Sequence, residues 1–160
     1  YYLTQIANFP INLKVREIIR MIKYLRGKTN DDKRLIEMFT IEPFLNKKLG
    51  NLSGGTKQKV NIVLAFMFDS PLIILDEPTT GLDPISLIRL KELIQVEKER
   101  GKTILITSHI MSFVEEVSDE IVFLLEGKIY FNGTINELKT KTNQPDFEHA
   151  IASILTDNHA

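Results

Sequence analysis

Two short apolar runs constrain this chain more than any other feature. Leu72-Ile73-Ile74-Leu75 stands between Pro71 and Asp76, and Thr103-Ile104-Leu105-Ile106-Thr107 follows one helix length later. Each has the length and β-branched content of a strand buried on both faces, the usual condition in a parallel sheet. Between them Asp83-Pro84 supplies an N-cap with proline at the first helical position, and Gly101 stands where a helix should end. A helix of about 16 residues fits that interval. Strand, helix and strand then wind right-handed into a parallel sheet. Met111–Val117 reads as the next helix and Ile121–Leu125 as a third strand of that sheet, so the expected class is α/β.

The residues before Pro71 carry a helical pattern. Val15, Ile18, Ile19, Ile22 and Leu25 recur at helical spacing up to Gly27, and Asn30-Asp31-Asp32 offers caps for a second helix to about Phe39, stopped by Glu42-Pro43. Ser53 caps a third helix whose stretch Asn61–Phe68 is apolar almost all round and is therefore expected to be buried. After the third strand, Glu126-Gly127 makes a tight turn into a hairpin strand, Lys128–Phe131. Thr134 and Glu137 match a capping box, and Pro145-Asp146 opens a last helix with Phe147, Ile151, Ile154 and Leu155 on one face.

Composition removes several classes of function. Twenty Lys+Arg against 21 Asp+Glu leave a formal charge of -1, so no basic field recruits nucleic acid, and no nucleic-acid partner is expected. The absence of cysteine excludes a disulfide framework and a thiolate metal cluster and agrees with a reducing compartment. His109, His149 and His159 are scattered and suggest no metal site. The longest apolar run, Ile62–Phe68, falls far short of the roughly 20 residues that cross a bilayer. The first residues, Tyr1-Tyr2-Leu3-Thr4-Gln5, have neither the basic start nor the apolar stretch of a signal peptide and read like the interior of a longer sequence.

Three places carry chemistry. Leu52–Val60, LSGGTKQKV, sets a serine and two glycines at the mouth of a helix, where bare backbone N–H groups and a positive dipole end suit a phosphate. The phosphate loop that should accompany it, G-x-x-x-x-G-K-[ST], occurs nowhere in the 160 residues. Asp76 and Glu77 follow the first strand at its carboxyl end, where ligands of open α/β sheets sit. On a strand they point to opposite sides, so one acid can hold Mg²⁺ on a nucleotide while the other aligns an attacking water. Ser108-His109 at the end of the second strand adds a donor for a transferring phosphoryl group. Singly, each has a bland alternative: a glycine loop, a solvated strand end, a surface histidine. Lys57 and Lys59 read as a solvated helix face, and His149 and His159 receive no role.

In order and spacing, LSGGTKQKV (52–60), LIILDEPTTGLDP (72–84) and ILITSH (104–109) resemble the signature, Walker B, D-loop and H-loop segments of ABC-type ATPases. Tyr2-Leu3-Thr4-Gln5 looks like that family's Q-loop. The resemblance implies a P-loop NTPase fold with a parallel sheet, incomplete here, and an α-helical subdomain. It divides the chain into a Q-loop region (1–10), the helical subdomain with the signature helix (11–70), the Walker B, D-loop and H-loop part of a RecA-like core (71–133), and C-terminal helices (134–160). It spans essentially the whole chain but leaves out the family's Walker A portion. The implication is the C-terminal part of a nucleotide-binding domain that, alone, hydrolyses no ATP.

The resemblance also implies the roles. ATP and Mg²⁺ would lie between two such subunits, a homodimer being expected, with Ser53, Gly54, Gly55 and Thr56 facing the γ-phosphate of a nucleotide held mainly by the partner. Asp76 would serve Mg²⁺, Glu77 would be the general base, and Gln5 would sense metal and attacking water. Asp83 would act across the dimer and His109 would contact the γ-phosphate. Thr56 stands where the family usually has glutamine, and Lys59 where it has arginine. The expected setting is cytoplasmic, at the inner face of the membrane, coupled to permease subunits. A soluble ABC-type ATPase, or a binding and dimerisation module without activity, are the alternatives. A narrower likeness, through residues 60–78, 107–133 and 147–155, is to the ATPase subunit of transporters serving copper-site maturation of nitrous-oxide reductase.

Overall fold

The structure is a computed structural model that describes the backbone of residues 2–3 and residues 9–26 and 32–157. It comprises two compact units, residues 1–108 and 109–160.

In the first unit, β1 (Tyr2–Leu3), β2 (Leu72–Asp76) and β3 (Thr103–Thr107) form a parallel sheet in that order. Leu72 through Asp76 run in register with Thr103 through Thr107, which sets Asp76 beside Thr107. Both apolar runs are strands as expected, and among the described residues one face of the pair is more deeply buried than the other. Ile73 and Leu75 are wholly buried, whereas Leu72 and Leu105, on the other face, are 43% and 54% exposed. A continuous apolar run records that both faces are hydrophobic; burial depends on which elements pack there. The strand β1 carried no pattern of its own, because two residues show no period.

Asn30 and Asp31, expected to cap the second helix, lie outside the described residues. α1 (Val15–Arg26) has its first amides held by carbonyls of a later loop, Val15 N–H to Lys47 at 3.1 Å and Arg16 N–H to Leu45 at 3.0 Å. α2 (Asp32–Met38) ends at a left-handed Thr40, before Glu42-Pro43, which instead opens a 3₁₀ turn. α3 (Gly54–Phe66) is capped by Ser53, and its Val60–Phe66 stretch is buried all round, as its composition requires. α4 (Pro84–Glu99) is capped by Asp83, with Gly101 at φ +79° beyond its end. Phe39, Ile18, Leu35, Ile62, Leu64 and Met67 lie fully inside the unit.

The second unit contains α5 (Met111–Val117), β4 (Ile121–Leu125), β5 (Lys128–Gly133), α6 (Ile135–Thr142) and α7 (Phe147–Asp157). β4 forms the expected hairpin, pairing antiparallel with β5, but the two make a sheet of their own rather than extending the parallel sheet β1–β3. Glu126 and Gly127, at φ +48° and +76°, make the primed turn that folds one strand directly onto the other. Thr134 and Glu137 form the complete capping box. Ile121, Phe131, Leu138, Phe147, Ala150 and Ile151 build the core of this unit. His149, to which the sequence assigned no role, helps cap α7. Its amide donates to Asp146 at 2.9 Å and its ring Nδ1 lies 2.8 Å from the same carboxylate.

One ionic cluster secures the start of β3. Lys102 Nζ reaches Asp69 at 2.8 Å and the buried Glu97 at 2.5 Å, and Arg100 meets Glu97 at 2.8 Å. Burial pulls the Lys102 ammonium down, but the carboxylates of Asp69 and Glu97 outweigh it and leave its pKa raised above 10.5. A raised lysine stabilises the fold fully below its unfolded value and ceases to do so as pH climbs through the folded one. Lys102→Met should therefore cost about 2 kcal/mol at neutral pH by stranding part of the Glu97 charge, with a smaller deficit above pH 10.5. Urea unfolding of both proteins at neutral and alkaline pH measures this.

Candidate functional site

The carboxyl end of β2 is built from backbone first. Asp76 closes the strand, and the Thr107 hydroxyl donates to its Oδ1 at 2.5 Å. Glu77 was expected to continue the strand and point to the opposite side. It does not continue the strand: at φ +46° it leaves it in a left-handed conformation, and its amide donates to the Thr107 carbonyl at 3.0 Å. The alternation rule holds only for extended residues, so the relative aim of the two acids is set by this bend. Asp76 and Glu77 are both half-buried as residues, and the Glu77 Oε2 atom is itself buried. Their donors are hard oxygens, which suit Mg²⁺, an ion that takes one or two carboxylates and completes its shell with phosphate and water. Among the described residues no cluster of three or more His, Asp or Glu forms a metal cage.

The mouth of α3 lies in the same unit, with Ser53 and Gly54 exposed. Ser53 Oγ accepts from the Thr56 amide at 3.3 Å and lies 2.8 Å from the Thr56 hydroxyl, so the two side chains engage each other. The first-turn amides have no partner inside the helix, and an anion placed there meets N–H groups and the dipole end. The two glycines differ. A Cβ on Gly54 would meet nothing within 4 Å, whereas one on Gly55 would sit 2.3 Å from the Gly81 carbonyl oxygen. Gly81 itself has φ +72°. Gly54 is open toward solvent, and Gly55 is required by packing.

Asp83 is engaged within its own chain. It accepts from the amide and hydroxyl of Ser86, each at 2.9 Å, and Lys59 Nζ lies 2.6 Å from its Oδ2. Lys59 first, then the Ser86 amide, hold its carboxyl well below the usual 3.8. A depressed carboxyl contributes above its unfolded pKa and loses that contribution only as pH falls through the folded one, so this pairing persists through mild acid. Lys59 was read as part of a solvated face and is instead this partner. Gln58, also unremarked, is 4% exposed and donates to the Pro78 carbonyl at 3.0 Å. Their signal was present in the spacing: 55, 58 and 59 share one side of a helix. Thr107 carried no such signal.

The structure thus gathers Gly55, Asp76, Glu77 and Asp83 in one unit with Ser53, Gly54 and Thr56. His109 opens the second unit and is exposed there. Gln5 lies outside the described residues.

Residues 1–80 match the family model described as ABC transporter, and the chain belongs to that family. A lantibiotic transport ATP-binding protein of Streptococcus pyogenes is 43% identical over 122 residues, 68% of this chain and 53% of that protein. The chain thus spans about half the length of such curated relatives. The ATP-binding subunit of an ABC transporter superposes with a TM-score of 0.89 at 27% identity, covering 96% of this chain and 67% of that one. A dimeric ATP-binding cassette in a post-hydrolysis state, bound to ADP and Pi, superposes with a TM-score of 0.71 at 25% identity, covering 83% and 61%. The fold is that of an ABC ATPase domain, a P-loop NTPase. Among the described residues no helix is long and apolar enough to cross a membrane.

The unequal glycines make a direct test. Gly55→Ala should destabilise the protein by about 2 kcal/mol through the clash with Gly81. Gly54→Ala should leave stability unchanged or raise it by up to about 1 kcal/mol, since alanine favours helix. Equal effects in urea unfolding would refute the distinction.

Proposed function

We propose that the protein is the ATP-hydrolysing subunit of an ABC transporter, and that residues 52–60 form one side of a nucleotide site completed by a second subunit. The observation that carries this reading is the exposed Ser53-Gly54 end of α3, joined to the segment that leaves the β2 carboxylates. The same family membership and a dimeric structural neighbour with bound ADP and Pi support it.

In this reading Ser53, Gly54 and Gly55 offer amides, and Thr56 a hydroxyl, toward the γ-phosphate held by the other subunit. Asp76 would hold Mg²⁺, which supplies charge neutralisation on the phosphates when bound. Glu77 takes a proton from the attacking water; the new oxygen–phosphorus bond forms as the bond to the β–γ bridging oxygen breaks, and ADP leaves with that electron pair. His109 contacts the γ-phosphate, Gln5 senses metal and water, and Asp83, anchored by Lys59 and Ser86, faces the dimer partner. A homodimer at the inner face of the membrane, bound to permease subunits, completes the assembly. The relative from Streptococcus pyogenes is named for lantibiotic transport. The narrower reading, service to nitrous-oxide reductase maturation, rests only on the likeness through residues 60–78, 107–133 and 147–155.

Glu77→Gln in the full-length protein should lower ATP turnover by at least about 10²-fold while ATP binding persists, because the amide keeps the shape and loses the base. Phosphate release and nucleotide titration measure the two. Unchanged turnover would remove Glu77 from its role.

A further inference from the structure

Gly55, Gln58 and Lys59 occupy one face of α3, and all three meet the segment 77–83. Gly55 abuts the Gly81 carbonyl with no room for a side chain. Gln58, buried, donates from Nε2 to the Pro78 carbonyl at 3.0 Å and to the Glu77 carbonyl at 3.4 Å. Lys59 pairs with Asp83 at 2.6 Å, and Asp83 is also fixed to Ser86. The segment so held begins at Glu77, a residue with a side chain in the left-handed region at φ +46°. Such a conformation persists only where the surroundings over-determine it. The Thr107 carbonyl, accepting from the Glu77 amide, holds one side of that residue, and Gln58 holds the carbonyl on the other.

We propose that Gln58 and Lys59 are positioning residues: one face of α3 holds the 77–83 segment in the bend that aims Glu77. The same helix begins at the exposed Ser53-Gly54 end, so that end and Glu77 are joined through one continuous helix and its contacts. Gln58 anchors the start of the segment, Gly55 sets its distance in the middle, and Lys59 anchors its end. Gln58 is suited to the task because its amide donates to carbonyls without bringing a charge into a buried place. Lys59 is suited because its ammonium brings a charge to Asp83 Oδ2, beside the Ser86 hydroxyl, while the Ser86 N–H holds Oδ1. This inference rests on the ATPase reading for the role of Glu77, but its structural half stands apart from nucleotide.

The test uses the full-length protein with Gln58→Leu, Lys59→Met and the conservative Lys59→Arg. Amide hydrogen exchange in residues 77–83 is measured without nucleotide, alongside MgATP turnover. Lys59→Met and Gln58→Leu should each speed exchange in 77–83 by about tenfold, the scale of one lost hydrogen bond, with the rest of the protein unchanged. They should lower kcat by about tenfold with KM for MgATP within about twofold, because orientation rather than binding is lost. Lys59→Arg should restore both. If Gln58→Leu fails to fold, Lys59→Met alone decides. Unchanged exchange in 77–83 overturns the proposal, as does faster exchange with wild-type kcat. A wild-type protein that turns over no ATP removes the ATPase reading instead, and the exchange result then decides whether α3 holds the segment.

Discussion

The approach of α3 to the segment after β2 is the constraint on which the candidate site depends. At Gly55 the helix comes so close to the Gly81 carbonyl that no side-chain carbon fits between them. A helix normally stands off its neighbours by the thickness of its side chains; a glycine at the contact removes that spacer. The gain is geometric. Gln58 and Lys59, one turn further on, come within hydrogen-bonding reach of backbone and carboxylate partners that a wider separation would leave to water.

This arrangement gives two adjacent glycines unlike duties. Both are read as offering amides, but a side chain would find open space at Gly54 and the Gly81 carbonyl at Gly55. The same division appears among the acids. Asp76 remains on the sheet, bonded to a strand neighbour, while Glu77 is turned out of it and held by main-chain bonds on both sides. Asp83 spends its oxygens on a helix cap and an ion pair, which fixes its position within the chain.

Much of the fold was legible because its signals are local. Ser53, Asp83 and Thr134 bond amides three residues on, and those bonds exist wherever the helix goes. The Glu126-Gly127 turn is equally local. Where expectation failed, the missing information was nonlocal. The run Leu72–Leu75 is apolar throughout, yet among the described residues Ile73 and Leu75 are buried and Leu72 is 43% exposed, because burial depends on which other elements pack there. Ile121–Leu125 forms the hairpin that its Glu126-Gly127 turn announces, but strand–helix–strand order alone does not tell whether such a strand also joins the parallel sheet, and it does not. Glu77 was taken as extended because nothing in Asp76-Glu77-Pro78 announces a left-handed residue.

The sequence by itself determined the order of elements, their caps and the three motif segments, since each depends on residues within a turn or two of one another. It also carried the family, through the spacing of those segments. The tertiary structure alone decided that Lys59 would face Asp83, that Gln58 would bind the backbone beyond β2, and that Gly55 rather than Gly54 would be sterically indispensable. Those outcomes depend on how far α3 is rotated and how closely it is pressed against a segment more than 15 residues away in sequence. Local propensity cannot encode an angle and a distance between two elements; packing does.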